Sequence, residues 1–268
     1  MIIRKTPEEI DKIAASGAIL VRTLTLLEKL VRPGVTTAEL DAAAERYIRS
    51  QNAVPTFKGF RGFPASICAS PNSMIVHGIP GPHALERGDL ISLDVGVTLD
   101  GWVADAARTF SVGPPGPVAE TLLEGTRDAL FAGVEQCVAG NRLGDVSHAV
   151  QVAAESRGLA IVRSLVGHGV GRNMHEDPQI PNFGEPGTGP RLEEGMVLAI
   201  EPMTTAGHPG VRPGNDGWAI YSEDGSLTAH FEFTVAITAA GPRVLTPWHL
   251  ADGETNVVGN IGGRAQVG

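Results

Sequence analysis

The 268-residue chain carries 21 basic and 30 acidic residues, a net charge of −9, and has no Lys/Arg cluster, which argues against nucleic acid or an anionic membrane surface as a partner. Hydrophobic residues make up 42% of it and no long polar linker divides it, so one large domain is expected over 1–250, followed by a tail over 251–268. Two cysteines, Cys68 and Cys137, form no CxxC pair or disulfide framework, although a single bridge between them stays open; with no signal peptide and no run of ~18 apolar residues, a cytoplasmic location is expected.

Thr6-Pro7-Glu8-Glu9 reads as a helix start, with Thr6 as N-cap, Pro7 in the first turn and Glu9 completing a capping box. Ile10, Ile13, Gly17, Leu20, Val21, Leu24, Leu27 and Val31 then form one apolar stripe that stops at Arg32-Pro33-Gly34. Thr36-Thr37-Ala38-Glu39 repeats the box and opens a second helix through Leu40, Ala43, Ala44, Tyr47 and Ile48. The same order recurs after Pro117: a helical TLLEGTRDALFAGVEQCV, a break at Gly140, then DVSHAVQVAAESRG. A shift of 106 residues superposes Gly34 on Gly140, Glu39 on Asp145, Leu40 on Val146 and Ser50 on Ser156. This predicts an internal duplication, about 6–112 and 117–245, with a site at the junction of the halves.

LISLDVGVTL runs into Asp100-Gly101, a type I′ turn signal, and returns as WVADAARTF. With those two residues as the loop, Asp94 faces Ala107, and Asp105 projects from the same sheet face, diagonally about 7–8 Å away. In GHGVGRNMHEDP the two histidines, His168 and His175, are spaced too loosely for the helical HExxH of a zinc protease. Glu201 ends the apolar run MVLAIEP, which reads as a strand buried on both faces. In HFEFTVAI the alternation puts Phe231, Phe233, Val235 and Ile237 on one face and His230, Glu232 and Thr234 on the other. Asp224-Gly225 predicts another hairpin, in a register that sets Gly217 opposite Glu232. A carboxylate on a dry strand costs several kcal/mol unless paired. Asp94, Asp105, His168, Glu201 and Glu232 together make an oxygen-rich set with one nitrogen, suited to two divalent ions sharing bridging carboxylates.

Five segments, SICASPNSMIVHGIP, GDLISLDVGVTLDGWVADAARTF, GHGVGRNMHEDPQIPNFG, LEEGMVLAIEP and HFEFTVAI, resemble the type I methionine aminopeptidases over roughly residues 5 to 245. The resemblance implies an α+β pita-bread (creatinase/aminopeptidase) fold, two pseudo-symmetric halves of helices packed on antiparallel sheet. It implies Asp94, Asp105, His168, Glu201 and Glu232 as ligands of two divalent ions (cobalt, manganese, iron or zinc), with Asp105 and Glu232 bridging. It further implies His77 and His175 as hydrogen-bonding groups at the scissile peptide; Glu201, as a ligand beside a metal-bound water, is the expected proton shuttle to the departing amine. Phe57, Phe60, Phe63, Cys68, Met174 and Trp218 match the family's methionine side-chain pocket. Phe57 stands where many bacterial members have cysteine, Phe60 and Phe63 where tyrosines are common, and Met174 where an aromatic residue is usual; all stay apolar.

The implied activity is removal of the initiator methionine from peptides and nascent chains, with a small second residue preferred. A monomer touching the ribosome transiently, with no nucleic acid or membrane partner, is expected. The alternatives are an X-Pro-directed pita-bread peptidase and a non-catalytic pita-bread binding module.

Overall fold

Both predicted capping boxes form. In the computed structural model, which describes residues 1–250, Glu9 accepts the Thr6 N–H at 3.0 Å and opens helix α1 (Pro7–Leu30), while Glu39 accepts the Thr36 N–H at 2.8 Å and opens α2 (Thr37–Ser50). In the second half α3 spans Pro117–Glu135 and α4 spans Leu143–Ser156. Asp145 accepts the Arg142 N–H at 2.7 Å, so Asp145 does for α4 what Glu39 does for α2.

Among the described residues the strands fall into four small antiparallel sheets. One contains β1 (Val54–Pro55), β2 (Ile67–Pro71), β4 (Leu90–Leu99) and β5 (Trp102–Ser111), with β4 central. A second, in the order β15-β14-β9-β7-β8, is built from β7 (Val166–Gly169), β8 (Glu176–Pro181), β9 (Val197–Ile200), β14 (Phe233–Thr238) and β15 (Gly241–Val244). The two smaller ones are β13-β10-β6, from β6 (Ala160–Ile161), β10 (Met203–Thr205) and β13 (Thr228–His230), and β11-β12-β3, from β3 (Met74–Val76), β11 (Val211–Pro213) and β12 (Ile220–Ser222).

The halves repeat in detail. Gly34 N–H donates to Leu85 O and Leu85 N–H to Val35 O; likewise Gly140 donates to Leu192 O and Leu192 to Asn141 O. Gly88, before β4, and Gly195, before β9, both sit at positive φ, where glycine alone is unstrained. The repeat makes β4 and β9 counterparts. They deliver Asp94 and Glu201 to the junction.

The predicted Asp224-Gly225 hairpin does not form. The turn exists, with the Asp224 carboxylate accepting the N–H groups of His208 and Ser226, but β12 pairs with β11 and β3, whereas β13 pairs with β10. Gly217 therefore does not face Glu232. The turn signal fixes local geometry only, and strand partners are chosen by tertiary contacts. Both cysteines are free and buried, so the bridge left open between them does not form. The predicted tail, 251–268, lies outside the described residues.

The larger of two apolar clusters among the described residues runs through both halves, from Leu20 and Leu24 of α1 to Phe233 and Ile237 of β14. Helix α1 packs across β4 and β5, and its Gly17 touches the chain just after β15. A Cβ there would lie 2.1 Å from the Leu245 carbonyl oxygen. Gly17→Ala gains about 1 kcal/mol of helix propensity, but overpacking against backbone costs roughly 1–3 kcal/mol or more. A lower urea midpoint is therefore expected. An unchanged or raised midpoint would mean that α1 yields at little cost.

Candidate metal centre

Asp100 and Gly101 both adopt positive φ, the requirement of a type I′ turn, and lock β4 to β5 with Asp94 opposite Ala107 and Gly96 opposite Asp105. Asp94 and Asp105 thus share one sheet face, as predicted. Across β2, Cys68 faces Asp94. Gly96 leaves room for Phe57, whose Cε1 would lie 2.7 Å from a Cβ at that position.

The second sheet meets the first at this point. Thr234 is decisive, since its hydroxyl accepts the Asp105 N–H at 3.0 Å and donates to the Asp105 carbonyl at 2.7 Å. The Glu232 N–H donates to Ala107 O, and the His230 N–H to Thr109 Oγ1. HFEFTVAI is consequently not one strand: β13 ends at His230 and β14 begins at Phe233. Glu232 sits in the break, where its backbone turns to the first sheet. Trp248 Nε1–H donates to the Glu232 carbonyl at 2.9 Å. On β7, His168 lies opposite Ala199, two residues before Glu201, and Asn182 donates to the Glu201 carbonyl at 2.9 Å.

All five candidate ligands line one cavity of about 130 Å³. His168 Nε2 is 3.6 Å from Asp105 Oδ2 and 3.6 Å from Glu201 Oε1. Ligand atoms of Asp105, His168 and Glu232 lie within 4.8 Å of one another, and all three residues are buried. The Gly169 carbonyl, 2.9 Å from His168 Nδ1, can only accept, so Nδ1 carries the hydrogen. Burial first, and His175 second, push the His168 pKa down to about 4, which keeps the ring neutral. Its Nε2 lone pair therefore faces the carboxylates, as a metal ligand requires.

The carboxylates have no compensating cation. No Lys or Arg lines the cavity among the described residues, and Asp94 Oδ1, Asp105 Oδ1 and Glu232 Oε1 are buried without a hydrogen-bond partner. Burial pushes Asp94 up to about 7 and Glu201 up to about 8. It raises Asp105 and Glu232 far above the carboxylate range, with neighbouring acids adding to the effect. Clustered, desolvated carboxylates with unpaired oxygens beside one imidazole lone pair are the donor set of divalent cations.

His77 and His175 line the same cavity and are exposed at its mouth. The His175 ring lies 4.3 Å from that of His168 and 5.4 Å from that of Phe60. Phe63 meets Trp218 edge-on at 5.1 Å, and Met174 is buried next to His175. Phe57, Phe60, Phe63, Cys68, Met174 and Trp218 are not among the residues that line the 130 Å³ cavity; Phe60 stands against His175, and Cys68 faces Asp94. One residue was missed. His230 Nε2 lies 3.5 Å from Glu201 Oε2, and both ring nitrogens lack a hydrogen-bond partner. Its position two residues from Glu232, on the same predicted face, was the available signal.

The model of metallopeptidase family M24 matches residues 11–239. A methionine aminopeptidase of Clostridium acetobutylicum is 51% identical over 247 residues, covering 92% of this chain and 99% of its own. The chain belongs to the methionine aminopeptidases of family M24. Within that family, methionine aminopeptidase 1 of Bacillus subtilis is 48% identical, with 92% and 99% of the two chains covered. The crystal structure of the methionine aminopeptidase from Rickettsia prowazekii is 39% identical, with a TM-score of 0.90 over 92% of this chain and all of the other. A prolidase from Pyrococcus furiosus, 24% identical with a TM-score of 0.70, covers 91% of this chain but only 65% of its own, and shares the fold alone. The pita-bread fold and the aminopeptidase reading hold, and the X-Pro and non-catalytic alternatives are not favoured. Membership in a metallopeptidase family implies use of divalent metal.

Proposed function

We propose that the chain removes the N-terminal methionine from peptides and nascent chains, using two divalent cations that Asp94, Asp105, His168, Glu201 and Glu232 would hold. The observation that carries this reading is the uncompensated group of buried carboxylates facing the Nε2 of a neutral His168. Cobalt, manganese, iron or zinc suits the donor set. When bound, such ions would polarise the first peptide bond and bring the pKa of a water toward neutrality.

The chain's own groups supply the rest. Glu201, whose side chain keeps 12% exposure, takes the proton of the attacking water and returns it to the departing amine. His77 and His175, at the mouth, donate hydrogen bonds to the developing oxyanion and the leaving group. The methionine side chain lodges among Phe57, Phe60, Phe63, Cys68, Met174 and Trp218, where a thioether packs well on aromatic rings. A small second residue is preferred.

Residues 1–250 are read as one catalytic domain of two pseudo-repeats, about 6–112 and 117–245, a division supported by the repeated bonds around Gly34 and Gly140. No helix among the described residues is long and apolar enough to cross a membrane, and both cysteines are free thiols. We further propose a cytoplasmic location and a monomer that meets the ribosome transiently. The test compares hydrolysis of Met-Ala-Ser with that of an X-Pro peptide by metal-loaded protein. Release of methionine from the first alone is expected; cleavage of only the second, or of neither, would overturn the reading.

A further inference from the structure

Away from the carboxylates, one ion pair among the described residues is almost wholly buried: Lys5 Nζ lies 2.7 Å from Glu176 Oε2, with side chains 3% and 4% exposed. Such pairs are poor stabilisers, because desolvation cancels most of their attraction and apolar replacements often do as well. Their value lies in geometry. Glu176 immediately follows His175 and pairs with Gly169, where the β7–β8 ladder shifts register, so it closes the loop that carries His175.

The contacts around the pair are directed at that loop. Glu176 Oε1 accepts the Asn173 N–H at 3.1 Å, and Lys5 Nζ also donates to Ile3 O at 3.0 Å. The loop wraps around the pair so closely that a Cβ at Gly171 would lie 2.6 Å from Lys5 Cε and 2.9 Å from Glu176 Oε1. On its other side the loop is held by the Val103 N–H on Gly171 O at 2.8 Å and by the Arg172 guanidinium 4.0 Å above the Trp102 ring. Lys5 is itself fixed, since its backbone N–H donates to Gly195 O at 2.7 Å, in the turn that leads into β9 and on to Glu201.

We infer that Lys5 and Glu176 are positioning residues: their buried ion pair ties the N-terminal segment to the Gly171–His175 loop and holds His175 at the mouth of the cavity. The inference rests on the role given to His175 above. A group aimed at a developing oxyanion loses about 10²-fold in rate when displaced by about 1 Å.

The experiment measures kcat and KM of metal-loaded enzyme on Met-Ala-Ser for Lys5→Met and Glu176→Gln, each alone and with His175→Ala, together with hydrogen exchange at the Asn173 amide. Each single variant is expected to lower kcat by about 10–100-fold with KM changed less than about threefold, and to speed Asn173 exchange. With His175→Ala present, the same changes should cost less than about a further twofold, because the group they position is gone. Glu176→Gln keeps the side-chain shape and carries the test should Lys5→Met not fold. Unchanged kcat in the pair variants, or the same loss in both backgrounds, overturns the inference alone. An unaffected kcat in His175→Ala overturns the role of His175 and the inference with it.

Discussion

Asp105→Ala is expected to abolish both metal binding and turnover of Met-Ala-Ser. Asp105 offers carboxylate oxygens to the same point as His168 and Glu232, and its backbone is fixed from both sides by Thr234, so no neighbour can replace it. The loss should exceed the ~10²–10³ in rate that removal of one oxyanion donor costs. The same substitution is not expected to destabilise the metal-free protein. Asp105 Oδ1 is buried without a partner beside other acids, and deleting it relieves desolvation and repulsion. Activity, metal content and metal-free melting temperature should therefore separate, with the first two lost and the third unchanged or raised. Wild-type turnover with stoichiometric metal would falsify the assignment of Asp105.

The metal-free enzyme is expected to lose stability as pH rises from about 7 to 8.5. A carboxyl group whose folded pKa lies above its unfolded value of about 4 binds its proton more tightly when folded. Its contribution is full below the unfolded value and disappears as pH climbs through the folded one. Asp94 sits at about 7 and Glu201 at about 8, with Asp105 and Glu232 also raised, so the loss continues through this window. His168 acts in the opposite sense. Its folded pKa of about 4, below the ordinary imidazole value of about 6.5, makes it favour the folded state more as pH rises toward that value, after which its contribution levels off. Above pH 7 the carboxyl groups decide the slope. Each group that ionises on unfolding costs about 1.4 kcal/mol per pH unit, or roughly 3–5 °C of melting temperature for a chain of this size. Saturating manganese should remove the decline, because the ions favour the ionised carboxylates. Thermal melts with and without metal read this directly, and a metal-free melting temperature that is flat or rises over the window would contradict it.

Much of the site was legible because its elements announce themselves locally. Thr6 and Thr36 with Glu9 and Glu39 set two helix starts, and Asp100-Gly101 set a register that places Asp94 and Asp105 on one face without any knowledge of the fold. The recurrence of Glu39 as Asp145 pointed to the repeat. What stayed hidden depends on contacts between sheets. Nothing in the period of HFEFTVAI tells that it breaks at Glu232 to bond Ala107, or that Thr234 bonds both backbone groups of Asp105. The Asp224-Gly225 turn misled for the same reason, since a turn residue fixes φ but not the partner strand. His230 escaped because a lone histidine on a strand is ordinarily a structural residue, and only the position of Glu201 gives it company.

The most direct measurement is anomalous diffraction from crystals grown with abundant manganese or cobalt. Two peaks are expected in the cavity, within coordination distance of the carboxylates of Asp94, Asp105, Glu201 and Glu232 and of Nε2 of His168. A cavity without such peaks, or those side chains turned away from one another, would contradict the assignment of a dinuclear metal centre.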